Sequence, residues 1–514
     1  MLVSELIKRG ARQFSDQTAV LFADSRLTFA EVDKLSNRLA NALRDVGKLD
    51  VGSRVGLLIN NSIYSIPVDF ACAKARLTRV PLNSRLALAE HCQMIENAGV
   101  TALVYGEDLK ERAHDIVARH PSLKAFGLGC RHTGHDLVQL AHDATDQPPA
   151  LVAEPDDVVL ALYTSGTTGK LKAAQHTQVS WAAVGNNILT NLVPVASGEI
   201  MLHAASMIHA SGTFILPFWV RGGTAAVLPG FASGDFLRAI ERWRPTTLNL
   251  VPTMIGMLLE DPAAMTTDFS SLKTIIYGAS PMPRATINKA LALWGPRLIQ
   301  YYGQTEAPLC ISVLGKEAHI GEGASERLSS CGQPSVDCEI RLVDEDGADV
   351  QPGLSGEIAI RAPFAMTSYW DAEDLNAHQR LPGGWLRTRD VGRFDSSGFL
   401  HLVDRTSDMI VSGGYNVYPR EVEDVLGGHP AVREVAVVGL PSDKWGEEVT
   451  AFVVLREQPP CSGTELIEFA RDKLAGYKIP KSVRIVNEVP KSAVGKILRR
   501  ALRDPFWVGK ERKI

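Results

Sequence analysis

The sequence is short of features that would remove it from the ordinary globular class. It lacks a long apolar run: the longest near its middle, 213–220 (TFILPFWV), is stopped by Arg221, well below the roughly 20 residues a spanning helix needs. Cysteine is sparse: seven residues at scattered positions, with no C-x-x-C pair. That excludes a disulfide scaffold and a zinc ribbon, and fits reduced thiols in a cytoplasmic protein. Charge of one sign is lacking too, with 54 Lys and Arg against 58 Asp and Glu and a net charge of −4. Nothing in that balance attracts nucleic acid or an acidic membrane surface. Gly (43) and Pro (28) follow no period, so collagen-like and low-complexity classes fail. The first residues, MLVSELIKRGARQF, are interrupted by Glu5, Lys8 and Arg9 before any signal-like apolar core develops.

What remains is a 514-residue chain that is 45% hydrophobic, long enough for two to four domains of roughly 150 residues. Apolar runs alternate with helical patterns over the first 400 residues. The runs 55–59, 102–105, 158–163, 274–277, 298–302 and 357–360 are strand candidates, and 64–74 and 179–192 carry helical spacing. This alternation predicts an α/β region of mainly parallel sheets flanked by helices. After about Asp404 the texture changes. A strand at 408–411 is followed by a helix opening at Pro419 and stopping at Gly427-Gly428, two strands at 434–439 and 449–455, and a helix capped by Ser462 and Glu465. That pattern predicts a small C-terminal α+β domain.

The strongest local signal is TSGTTGKLK at 164–172. Gly166 and Gly169 let backbone N–H groups approach an oxyanion; Ser165, Thr167 and Thr168 add hydroxyls; Lys170 and Lys172 add charge. The set suits a polyphosphate, yet its spacing is not that of a Walker A loop. By composition alone a flexible Gly/Thr loop fits equally well. Two near-motifs fail: Met282 occupies the closing position of a nucleophile elbow begun by GAS at 278–280, and CRHTGHD at 130–136 has no second ligand pair at zinc spacing.

TSGTTGKLK (164–172), YYGQTE (301–306), GWLRTRD (384–390), DRTSDMIVSGGYNVYPREVE (404–423) and PKSAVGK (490–496) stand in the order found in adenylate-forming enzymes. The chain thus resembles the superfamily of acyl-CoA synthetases, luciferases and adenylation domains, most of all bacterial fatty-acid and aryl-acid CoA ligases. The resemblance implies a large domain over 1–404, a hinge at 405–407 with Ser407 at its usual position, and a small mobile domain over 408–514. It implies ATP, Mg²⁺ and coenzyme A as co-reactants of a carboxylic acid, and a monomer or homodimer without nucleic-acid partners.

The resemblance also assigns residues. Thr164, Ser165, Gly166, Thr167, Thr168, Gly169 and Lys172 would hold the β- and γ-phosphates. Gly278, Ala279, Ser280 and Gln300 would line the adenine edge and acyl pocket. Tyr302, next to Tyr301 and Gly303, would lie on adenine, Thr305 would donate to the α-phosphate, and Glu306 would help hold Mg²⁺. Asp390, assisted by Arg405, would accept from the ribose. Lys496 would bridge the substrate carboxylate and the α-phosphate, neutralising charge as two anions meet. Ser412, Gly413, Gly414 and Tyr415 would line a pantetheine tunnel, Trp445 would contact the CoA nucleotide, and Lys478 or Lys481 would meet its phosphates. His209 would stand between the acyl pocket and that tunnel.

The chain departs from the family pattern at Leu171, Ala173, Ser206, Ser407 and Ile479. The segment 207–216 (MIHASGTFIL) has no Asp for an α-amine and no Arg or Lys for a second carboxylate. An apolar monocarboxylate, fatty or aromatic, is therefore expected. The alternatives are a ligase that loads a carrier protein, disfavoured by Trp445 with Lys481, and a non-enzymatic adenylate-binding protein, disfavoured by the retained Thr305, Glu306, Asp390, Arg405 and Lys496.

Overall fold

A computed structural model describes the chain except residues 165–171, 281, 406–407, 413–414, 443, 457–459, 472, 492–496 and 509–514. The chain forms two compact units. The first comprises Met1–Met282, Thr286–Glu339 and Ile360–Leu386; the second comprises Pro283–Ala285, Ile340–Ala359 and Arg387–Ile514. A large α/β region and a smaller C-terminal region are present, as the alternation of apolar runs and the change of texture after Asp404 predict.

The first unit contains a nine-stranded and an eight-stranded sheet. In the nine-stranded sheet, Leu298–Tyr302, Thr274–Tyr277, Thr247–Leu250, Ile200–His203, Thr224–Val227 and Thr18–Phe22 run parallel as consecutive neighbours. Three of these strands are buried at every position, and one of them, Thr274–Tyr277, is the apolar run expected at 274–277. In the eight-stranded sheet, Val158–Thr164 joins Thr78–Pro81 in parallel and Lys172–Thr177 antiparallel. The Gly/Thr-rich segment therefore connects the arms of a hairpin. The second arm, KAAQHT, has no apolar alternation to announce it. The helix expected at 179–192 is Gln178–Asn191, started by Thr177, whose hydroxyl accepts from Ser180 N at 3.3 Å.

In the second unit, Trp385–Phe394 pairs from Asp390 onward with Leu400–Arg405. A five-stranded sheet follows, with Tyr415–Val417, Ile410–Ser412, Gly446–Leu455 and Val432–Ser442 in that order and Ser482–Ile485 alongside Gly446–Leu455. The helices Pro419–Gly427 and Gly463–Arg471 bring Val422, Leu426, Leu466 and Ala470 to its core. Ser462 and Glu465 form the expected capping box, at 2.7 and 3.3 Å.

All seven cysteines are free, and among the described residues no helix is long and apolar enough to cross a membrane. The first helix, Val3–Gln13, buries Val3, Leu6, Ile7, Gly10 and Ala11, a stripe at helical spacing. Its Ile7 carbonyl accepts from Trp219 Nε1 at 2.8 Å, so the indole presses against Gly10, where a Cβ would lie 2.4 Å from the ring. Gly10→Ala raises helix propensity by up to about 1 kcal/mol. It is nevertheless expected to lower unfolding free energy by about 1–3 kcal/mol through overpacking, as a reduced urea midpoint.

Candidate active site

Open parallel sheets place ligands at the carboxyl ends of their strands. Thr274–Tyr277 and Leu298–Tyr302 are neighbours in register, Tyr277 opposite Gln300, so 278–280 and 303–306 leave the sheet side by side. Gly278 is required there: a Cβ would stand 2.6 Å from the Tyr301 carbonyl. Ala279 takes a left-handed φ of 67° as the chain turns toward Ser280. Tyr301 and Tyr302 are both buried. Beyond Gly303, Gln304 and Ala307 exchange backbone hydrogen bonds at 3.0 and 3.2 Å, closing a turn with Thr305 and Glu306 at its tip.

Two contacts fix that turn. His176, fully buried on the strand Lys172–Thr177, has Nε2 2.9 Å from the Thr305 carbonyl, so Nε2 carries the hydrogen. Tyr369 donates to Glu306 Oε1 at 2.5 Å, and Met366 N donates to the Glu306 carbonyl at 2.7 Å. Tyr369 pairs with Ala174 on the same hairpin arm, and the Lys172 ammonium lies 5.9 Å from its ring centroid. Thr164, across from Lys172 in the ladder, ends the other arm. Ser165, Gly166, Thr167, Thr168 and Gly169 lie outside the described residues.

His209 caps the short helix Ala210–Phe214. Asn61 holds the loop before it, donating to the Ala205 and Leu228 carbonyls at 2.9 and 3.0 Å and accepting from Met207 N at 2.8 Å. Burial, and secondarily the Arg79 cation, lowers the His209 pKa to about 4. Its buried Nε2 has no hydrogen-bond partner among the described residues. Arg79 itself pairs with Asp69 at 2.7 Å and lies 5.1 Å from the Trp181 ring centroid.

In the second unit, Asp390 is buried and stands opposite Arg405 in the antiparallel ladder. Ser412 faces Tyr415 across a hairpin and pairs with Gly446, the residue after Trp445. Trp445 is 36% exposed. Lys444 and Lys481 hold their ammonium groups 4.9 and 5.4 Å from its ring centroid. Burial, with Arg471 and Lys444 nearby, lowers the Lys481 pKa. Lys478 instead pairs with Glu421 at 2.6 Å, so that of Lys478 and Lys481 it is Lys481 that lies beside the indole. Ser407, Gly413, Gly414 and Lys496 lie outside the described residues. Lys491 forms a bridge with Ile497, and Leu498 N donates to the Pro490 carbonyl at 2.8 Å.

The model of the AMP-binding enzyme family matches residues 7–370, and that of the AMP-binding enzyme C-terminal domain matches 421–496. The chain belongs to the adenylate-forming AMP-binding enzymes. Among similar family members is a feruloyl-CoA synthase from Amycolatopsis sp., 37% identical over 97% of this chain and 98% of that protein. A medium/long-chain-fatty-acid–CoA ligase, FadD8 of Mycobacterium tuberculosis, is 36% identical over 98% of this chain and 90% of its own length. Among solved structures, the amide bond synthetase McbA from Marinactinospora thermotolerans superposes with a TM-score of 0.90 at 30% identity, covering 98% of this chain and all of that one.

Within this AMP-binding enzyme, His176, Tyr369, Asn61, Arg79 and Lys444 are structural partners of the site that no motif announces. They sit in unremarkable sequence; folding brings His176, Tyr369, Asn61 and Arg79 to Thr305, Glu306 and the His209 loop, while Lys444 is the chain neighbour of Trp445. Among the described residues no three His, Cys, Asp or Glu side chains converge as a metal cage. Glu306 alone suits Mg²⁺, which binds through one or two carboxylates plus substrate phosphates and keeps its waters.

Burial lowers the pKa of His176 to about 4 and that of His203, also fully buried, to about 3. In the unfolded chain these imidazoles take up protons near pH 6.5. The native state therefore loses stability as pH falls from about 6.5 toward 4, on the order of 1 kcal/mol per histidine per pH unit. Urea titrations across that range should show a falling midpoint, with a shallower slope in His203→Asn; a flat profile contradicts neutral burial.

Proposed function

We propose that this enzyme is an AMP-forming acid–CoA ligase acting on an apolar monocarboxylic acid, fatty or aromatic. The observation that carries the reading is the Thr305–Glu306 turn, pinned by His176 and Tyr369 at the edge that presents Gly278 and Gln300. CoA ligases of this family use ATP, Mg²⁺ and coenzyme A. The apolar acid is supported by the buried Met207, Ile208, Phe214, Ile215 and Leu216 around His209. Asp69 already compensates the charge of the nearby Arg79.

A carboxylate is a poor electrophile because its carbonyl carries delocalised negative charge. In the first step its oxygen attacks the α-phosphorus of ATP, the bond to pyrophosphate breaks, and an acyl-adenylate forms. Thr305 donates to the α-phosphate, Glu306 holds Mg²⁺, Tyr302 lies on adenine, and Asp390 with Arg405 holds the ribose. Lys496 lowers the repulsion between the approaching anions. In the second step the CoA sulfur attacks the acyl carbon and the bond to AMP breaks. Ser412 to Tyr415 guide the pantetheine, and Trp445 with Lys444 and Lys481 takes the CoA nucleotide. The small domain, 408–514, swings about Ser407 between the two steps.

A second reading concerns only the acceptor: the similarity to an amide bond synthetase leaves an amine in place of the thiol. Pyrophosphate release should be followed with acetate, octanoate, palmitate, benzoate and cinnamate, each with CoA, a phosphopantetheinylated carrier, an amine or no acceptor. CoA-dependent turnover with one of the larger acids is expected; turnover with the amine or carrier alone reassigns the acceptor. Silence across the panel defeats the ligase reading for this acid class.

Lys496→Ala should abolish acyl-adenylate formation while thioester formation from supplied acyl-adenylate stays within about threefold of wild type. Equal loss of both half-reactions, measured separately, overturns the role given to that lysine.

A further inference from the structure

Behind the strand edge that carries Gln300 lies a chain of buried polar groups that the ligase mechanism does not use. His319 is 2% exposed; its Nδ1 lies 2.7 Å from the Gly315 carbonyl and its Nε2 2.9 Å from the Tyr277 hydroxyl. That hydroxyl, on a residue 1% exposed, stands 3.2 Å from the side-chain amide of Gln300, the cross-strand neighbour of Tyr277, with the amide placed Oε1 toward it, an orientation that a flip of the amide exchanges for the NH₂. The far end of the half-buried Gln300 amide meets no hydrogen-bond partner among the described residues.

The hydrogens in this chain have one consistent arrangement. A carbonyl only accepts, so His319 Nδ1 carries a hydrogen. Burial lowers the pKa of His319, so the ring is neutral and Nε2 is a bare lone pair. The single hydroxyl hydrogen of Tyr277 is then spent on Nε2, and its oxygen can only accept from Gln300. The amide end facing Tyr277 is therefore the NH₂ group, because the two ends of an amide are told apart by their partners. The reverse orientation would set two acceptors face to face without a hydrogen between them.

Resting on the placement of Gln300 at the adenine edge, we infer that Tyr277 and His319 are positioning residues that fix the polarity of the Gln300 amide. The amide presents its carbonyl oxygen to the purine, where it accepts from an exocyclic amine. This selects adenine over bases that carry a carbonyl at that position, such as hypoxanthine, whose oxygen would face the Gln300 oxygen. Gln300 touches the base; Tyr277 and His319 act through it.

The test is equilibrium binding of ATP and of inosine triphosphate to the full chain, by calorimetry and without acid or CoA. Wild type should favour ATP, and Gln300→Ala should erase most of that preference. Tyr277→Phe removes one oxygen and releases the amide to rotate. ATP should then weaken a few-fold while inosine triphosphate strengthens, so the ratio of the two affinities falls about tenfold. His319→Ala frees the Tyr277 hydrogen to donate to the Gln300 carbonyl and should move the ratio in the same direction. It stands in should the Phe variant fail to fold.

A ratio unchanged in both variants, or both nucleotides weakened by one factor, makes Tyr277 and His319 structural only and overturns the inference. A preference that survives Gln300→Ala removes Gln300 from the base and overturns it at its premise. A wild-type chain that binds neither nucleotide overturns it together with the ligase reading.

Discussion

The candidate nucleotide site hangs on one buried hydrogen bond, from His176 Nε2 to the Thr305 carbonyl. His176 belongs to the eight-stranded sheet, on the hairpin arm that leaves the Gly/Thr-rich segment. Thr305 follows the strand Leu298–Tyr302 of the nine-stranded sheet. The bond thus ties together two segments that are far apart in sequence and that the adenylation chemistry needs side by side. It holds because the imidazole is deeply buried and neutral: protonation would put a charge beside the Arg79 cation in a medium that solvates neither. Tyr369, on a strand that pairs with the same arm, then fixes the carboxylate of Glu306.

The same economy governs the surrounding polar groups. Asn61 satisfies two carbonyls and one N–H with a single amide and so sets the path of the chain into His209. Gly315, His319, Tyr277 and Gln300 form a line in which each hydrogen has one place to go. Networks of this kind carry little net stability, but they penalise every alternative arrangement. That is what a site must do when it brings a carboxylate and a triphosphate together. In the second unit Arg499 plays a comparable part, donating to Glu423 at 3.0 and 2.6 Å and to Asp408 at 3.2 Å. It braces the short helix Arg499–Arg503 against the helix Pro419–Gly427 and the start of the small-domain sheet.

Family membership also bounds what the arrangement does. The relatives share a way of activating acids and differ in the acid and the acceptor they are named for. In this chain the side proposed for the acid, around His209, is apolar, with the Arg79–Asp69 pair nearby. The side proposed for CoA is an exposed indole flanked by Lys444 and Lys481, a surface suited to a base and its phosphates.

The sequence by itself determined the parts whose physics is local. Wholly buried parallel strands such as Thr274–Tyr277 show as apolar runs, the Ser462–Glu465 cap as a four-residue pattern, and the adenylation motifs as short strings whose order names the family. Strands without apolar alternation stayed hidden, as Lys172–Thr177 did, because its side chains pair with partners distant in the chain. The site motifs were legible for the same local reason, since their glycines, hydroxyls and charges act within a turn. Only the tertiary structure decided that His176 holds Thr305, that Tyr369 holds Glu306, that Lys478 is taken by Glu421 while Lys481 lies at Trp445, and that Tyr277 meets His319. Those contacts join residues between 36 and 129 positions apart. A buried donor finds its acceptor through strand register and sheet packing, which no window of neighbouring residues contains.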